Sequence, residues 1–184
     1  MSKDIINNYV RQFSYYKSLA DKAVAQVNEQ EVFIEPADGS NSIAVIMKHI
    51  AGNMLSRWTD IFNTDGEKPW RNRDQEFEIL NMNAQELQAY WEKGWDVLLE
   101  TLESLSDNDL ERIIYIRNMG HTLQEAIVRQ ICHYPYHIGQ IVFVAKLMKG
   151  EAFTSLSVPK NASDAYNAEK FAKEKSRKHF TDDL

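Results

Sequence analysis

The sequence predicts an all-α fold: a four-helix bundle with long inter-helix loops and a C-terminal extension. Three observations carry the prediction. Only seven glycines and four prolines punctuate 184 residues. The segments between them repeat apolar residues at three- and four-residue steps, the helical period. Four such segments occur, each with one apolar stripe, and stripes of that kind are satisfied by packing against one another.

The first helix is expected from near residue 3 to about residue 28. Ile6, Tyr9, Val10, Phe13, Tyr16, Leu19, Ala20, Ala23, Val24 and Val27 make its stripe. Pro36-Ala37-Asp38-Gly39-Ser40 signals a turn. A second helix then spans about 42 to 62, with Ile43, Met47, Ile50, Met54, Trp58 and Ile61 on one side. A polar stretch from Asn63 to Asp74 follows as an ordered loop, with Trp70 and Phe77 as its apolar anchors. Asn83 and Glu86, three positions apart, predict a capping box that opens helix three. Leu87, Tyr90, Trp91, Gly94, Val97, Leu98, Thr101 and Leu102 form its stripe. The connection after Ser106 includes Ile113-Ile114-Tyr115-Ile116, a β-prone run that periodicity leaves ambiguous. Helix four is expected from near Thr122 to near Lys149, with Gly150 as its stop. Phe153, Leu156, Val158, Tyr166 and Phe171 suggest that the extension packs back on the body to about residue 172. Residues 173–184 are expected to be a frayed polar tail.

Hydrophobic residues make up 43% of the chain, enough for a core and too many for a disordered one. No run approaches the roughly 18 apolar residues of a membrane span. The first residues lack an apolar signal-peptide core. The one cysteine, Cys132, has no internal disulfide partner. A cytoplasmic location, with no membrane partner, is the expectation. The formal net charge of −6 does not attract phosphate backbones, so no nucleic-acid partner is expected either. Lys170, Lys173, Lys175, Arg177 and Lys178 cluster near the end and are read as a solvated helix terminus.

The chemistry points to histidines. His133 and His137 are four apart in helix four, so their rings lie about 40° apart on one face. His49 belongs to helix two. On a wheel of about 100° per residue, His49 and His133 fall near −120° from their stripe centres and His137 near −80°. All three therefore occupy stripe flanks in the same rotational sense, where a groove between helices meets solvent. Three imidazoles there could share one cation and leave coordination positions open, as catalytic metal sites do. Pro135, between His133 and His137, predicts a local bend. The segment lacks the glutamate of a metalloprotease helix. Cys132 points about 100° away from His133 and is expected to be a small buried hydrophobe. His121 is expected beside the start of helix four and His179 in solvent, neither as a ligand. Tyr136 and Gln140 lie close enough to the pair to support it, although polar flank residues usually face water. The tryptophans, Trp58, Trp70, Trp91 and Trp95, are assigned mostly to core packing.

The segments Ser42–Met54, Arg57-Trp58-Thr59-Asp60, Asp65–Trp70 and, most specifically, Arg129–Ile141 together resemble the DinB/YfiT-like superfamily of bacterial metal-binding four-helix bundles. The resemblance runs through most of residues 1–168 and points to an uncharacterised branch. It implies one DinB-like domain over residues 1–172. It implies a divalent metal held by His49, His133 and His137, with zinc, nickel or iron as the expected ion. It also implies a homodimer, and a metal-dependent thiol S-transferase that joins a low-molecular-weight thiol cosubstrate to a small electrophilic substrate. Two alternatives stand beside it: a metal-dependent hydrolase, and a non-catalytic, stress-related metal-binding dimer. No side chain is singled out as a general base.

Overall fold

The computed structural model describes residues 4–78 and 82–183. Four long helices form its body: α1 (Asp4–Val24), α2 (Ile43–Trp58), α3 (Ala84–Ser104) and α4 (Leu123–Lys149). A short helix, α5 (Ser163–Phe171), follows them. The protein is mostly helical, with one small hairpin, β1 (Ile113–Ile116) and β2 (Met119–Thr122). Residue 3, where the first helix is expected to begin, lies outside the described residues, as does part of the expected loop before α3.

Helix ends follow their capping chemistry. Ser42 accepts the Val45 N–H and opens α2. Asn83 and Glu86 form the expected capping box on α3, and Thr122 and Glu125 form another on α4. Gly150, at φ 55°, closes α4. The first two helices end about four residues earlier than their stripes suggest. After Val24 the chain turns, and after Trp58 it leaves through an extended Thr59 and an Asp60 at φ 49°. Apolar periodicity continued past both points because Val27 and Ile61 still pack on the core from non-helical backbone. Helix α4 runs unbroken through Pro135.

α1 packs on α3 and α4, and α2 packs on the same two helices. Between them sits an aromatic centre. Phe13 and Trp95 flank the Tyr134 ring at 5.9 and 6.2 Å, and Trp91 meets Trp95 edge-on at 5.5 Å. Trp58 Nε1 donates to the Tyr134 hydroxyl, which donates to Asn53 Oδ1. Trp58, Trp91 and Trp95 are thus core residues, whereas Trp70 is 59% exposed. Gly94 lets α3 approach α2 closely; a β-carbon there would lie 2.8 Å from the Ala51 backbone.

α2 departs from the one-stripe expectation. Every residue in it except Lys48 is buried. The segments Glu31–Phe33 and Asp74–Phe77 pack on it in addition to α3 and α4. A helix covered on all sides carries apolar and small residues all round, which is what Ile43–Met54 does.

The ambiguous run is strand β1, paired antiparallel with β2 from Ile113↔Thr122 to Ile116↔Met119. Arg117 and Asn118 make the two-residue turn, both at positive φ, as tight hairpins require. Asp65 accepts the backbone N–H groups of both, and Gly66 N–H donates to the Tyr115 carbonyl. The hairpin is thereby tied to the 63–73 loop. That loop is pinned to α2 in turn, since Ser56 Oγ donates to the Gly66 carbonyl and accepts from Lys68 N–H.

In the extension, Phe153 and Leu156 pack on the core, but Val158, Tyr166 and Phe171 are exposed. Of the basic cluster, Lys173, Lys175, Arg177 and Lys178 are exposed, and Lys170 is half-buried over the Tyr166 ring. The final residues lie back along α1: Phe180 meets the Tyr15 ring edge-on at 5.0 Å, Asp182 pairs with Arg11 at 2.7 Å, and His179 contacts Asn8. No described helix is long and apolar enough to cross a membrane.

Candidate metal centre

The three histidines converge. One ligand atom from each of His49, His133 and His137 lies within 4.8 Å of the others. Ring centroids are separated by 4.9 Å for His133–His137, 4.9 Å for His49–His137 and 5.6 Å for His49–His133. Two helices supply them in matching rows. On α2, His49, Asn53 and Arg57 follow at four-residue steps and line one cleft. On α4, Arg129, His133 and His137 do the same. Four-residue steps keep each row on one helix face.

Each ring is held by its Nδ1. His49 Nδ1 lies 2.8 Å from Glu76 Oε2, His133 Nδ1 lies 3.0 Å from Gln130 Oε1, and His137 Nδ1 lies 2.7 Å from Gln140 Oε1. A carboxylate or amide oxygen only accepts, so each Nδ1 carries the proton and donates it. Each Nε2 is then left with its lone pair, the form a metal requires. Burial pushes the His133 pKa down to about 4, with further lowering from His137, His49, Arg129 and Arg57. Burial also lowers that of His137, against the Gln140 hydrogen bond. Three neutral imidazoles with bare nitrogens suit a divalent transition ion.

Glu76 was not legible in the sequence. It sits in the short helical turn Asp74–Phe77, is 5% exposed, and is gripped from two sides. Arg71 donates Nε to Oε1 at 2.8 Å and Nη2 to Oε2 at 2.9 Å. Burial works against the charge of Glu76, but hydrogen bonds from His49 and Arg71 outweigh it and hold the carboxyl below the usual carboxylate range. Burial likewise opposes the Arg71 charge, while Glu76 and Glu67 hold its pKa above the ordinary arginine value. Gly52 makes the room: a β-carbon there would collide with Glu76 Oε1. Phe77 covers the outer side, its ring 4.6 Å from that of His49.

Gln130 was missed although its signal was present. It stands three residues before His133, as Gln140 stands three after His137, and such pairs are neighbours on a helix. Tyr136 is exposed but borders the site twice: its ring meets that of His137 edge-on at 4.9 Å, and its hydroxyl lies 3.4 Å from Gln140 Nε2. Cys132 is exposed, contrary to expectation, because Tyr134 takes the core-facing direction two positions later. His121 lies in β2, outside the cluster, as His179 does in the tail.

The cleft holds about 470 Å³, and five arginines line it with the histidines. Among the described residues, none of its lining side chains is a carboxylate or thiol. Arg71 is tied to Glu76, Arg117 reaches Glu67 at 3.3 Å, and Arg73 rests over the Phe77 ring. Arg57, 5% exposed, has Nε and Nη1 buried without a hydrogen-bond partner, and burial lowers its pKa.

No curated protein matches the chain. The fold is similar to that in a crystal structure of a conserved protein from Enterococcus faecalis. The TM-score is 0.63 at 20% identity, covering 82% of this chain and 100% of that one. At that identity the likeness is one of fold. The model of a family of proteins of unknown function, DUF1572, matches residues 1–162, and by that match the chain belongs to this family.

Proposed function

We propose that the chain is a divalent-metal-binding protein of the DinB-like four-helix-bundle kind. We further propose that it transfers a low-molecular-weight thiol to a small electrophile. The observation that carries the reading is the set of three Nδ1-anchored imidazoles, one ligand atom of each within 4.8 Å of the others. A divalent ion held there would supply the Lewis acidity that makes thiolate available near neutral pH. The residues of the chain do the rest. Glu76, Gln130 and Gln140 orient the rings, Phe77 restricts water on one side, and the arginines favour a negatively charged nucleophile. In the reaction a carbon–sulfur bond forms, the leaving group departs from the electrophilic carbon, and the thiol proton goes to solvent. Among the described residues no carboxylate lines the cleft, and a thiol, with an ordinary pKa of about 8.5, needs less help to ionise than water.

The non-catalytic dimer is supported by a different feature. Tyr136, Phe143 and Leu147 are large, exposed and lie along one side of α4. Such an apolar row suits a second copy of the chain.

Elemental analysis of untagged protein tests the metal, with His49→Ala, His133→Ala and His137→Ala beside the parent chain. About one ion per chain in the parent, and much less in each variant, is expected. Undiminished metal in all three variants would refute the site. Metal-dependent consumption of an electrophile only in the presence of thiol separates transfer from hydrolysis.

A further inference from the structure

The two four-residue rows run in opposite senses along the cleft. The histidines occupy one end. Toward the other, Arg57 lies eight residues beyond His49, and Arg129 lies four and eight residues before His133 and His137. Eight residues of helix are about 12 Å and four are about 6 Å. Of the cleft's arginines, Arg57 and Arg129 are the two with no direct ion pair or aromatic contact among the described residues, although Glu67 and Asp65 act on Arg57 from farther off. Two buried guanidinium nitrogens of Arg57 without a hydrogen-bond partner are costly, and proteins ordinarily pair such a charge directly. The chain is acidic overall, so this positive cleft is local and built against the net charge of −6. Its volume of about 470 Å³ suits a small molecule and not a polymer backbone.

We propose that the cleft binds a small organic anion whose carboxylate or phosphate group sits on Arg57 and Arg129, while its other end extends toward the three histidines. Guanidinium forks match the planar, bidentate geometry of such oxyanions. The separation of the two ends calls for a ligand with roughly 6–12 Å between its charged group and the atom that reaches the histidines. The anion half stands on the arginines alone; the reach to the histidines rests on the metal reading above.

The test has two arms, both with the full-length protein. In the first, metal-free protein is titrated calorimetrically with hexanoate, inorganic phosphate and 1-hexanol. One of the anions is expected to bind and hexanol not. Whichever anion binds tells carboxylate from phosphate. Arg129→Gln and Arg57→Met are each expected to weaken it about tenfold or more. Arg129 is exposed, so its variant folds even if the change at Arg57 harms the core. Equal heats from all three probes, or full affinity in Arg129→Gln, would overturn the anion site. In the second arm, cobalt-loaded protein is titrated with 6-mercaptohexanoate and 6-mercaptohexanol. A tighter response to the anion, read from the visible spectrum, supports a ligand that spans both ends. No preference, with the first arm positive, overturns the span and leaves the anion site standing. Failure to load cobalt at all counts against the metal reading and not against the arginines.

Discussion

Glu76 Oε2 lies 2.8 Å from His49 Nδ1, and both side chains are almost wholly shielded from water. The contact joins residues 27 apart in sequence. It makes a loop carboxylate the support for one of three converging rings. Arg71 holds that carboxylate with two further hydrogen bonds, so the ring is fixed by an ion pair anchored outside both helices.

That arrangement predicts a graded effect at Glu76. Glu76→Gln keeps the shape but removes the charge that strengthens the His49 hydrogen bond. Metal affinity is expected to fall about 10- to 100-fold, as for other groups that orient a ligand ring. Glu76→Ala leaves the buried Arg71 with Glu67 as its one remaining carboxylate and should cost about 1–3 kcal/mol of stability. Competition with a metallochromic indicator measures the first effect and urea unfolding the second. Unchanged affinity in Glu76→Gln would mean that the contact does not support the site.

Gly52 gives a second route to the same carboxylate. A β-carbon there meets Glu76 Oε1, and the Tyr90 hydroxyl is 3.3 Å away. Gly52→Ala should displace Glu76 at a cost of about 1–3 kcal/mol and weaken metal binding with it. If the variant binds metal as well as the parent chain, the carboxylate has room that this packing denies.

Acid should loosen the metal-free fold through His133. Its folded pKa is depressed to about 4 from the ordinary histidine value of 6.5. The neutral ring is therefore favoured in the folded state. The corresponding stability is fully present above about pH 6.5 and is lost as pH falls toward about 4. His137, also depressed, acts in the same direction. Urea midpoints at pH 7 and pH 5 should differ, and His133→Gln should reduce the difference. A midpoint independent of pH over that window would speak against burial of the neutral ring.

Tyr134 carries the polar link through the core. Its hydroxyl accepts from Trp58 and donates to Asn53, which borders the cleft. Tyr134→Phe leaves both partners buried without their hydrogen bonds, at about 1–3 kcal/mol. Because Asn53 stands one turn from His49 on α2, a loss of metal affinity should be far smaller than the loss of stability. A variant as stable as the parent chain in urea would show that the hydroxyl contributes nothing there.

Much of this protein is local and therefore readable without coordinates. Asn83 with Glu86, and Thr122 with Glu125, cap helices through residues three apart. His133 and His137 share a face because helical geometry places residues four apart together. The spacing of Gln130 and Gln140 from those rings belongs to the same class. What the tertiary structure alone decided is which distant groups meet. Glu76 and Arg71 come from a polar stretch with no period, and their roles exist only once Ser56 and the hairpin pin that loop to α2. The burial of α2 on every side, and the meeting of the His49 and His133 rows, likewise depend on chain closure over many residues. A repeat in sequence sets the direction of a side chain on its own helix; only packing sets what lies opposite.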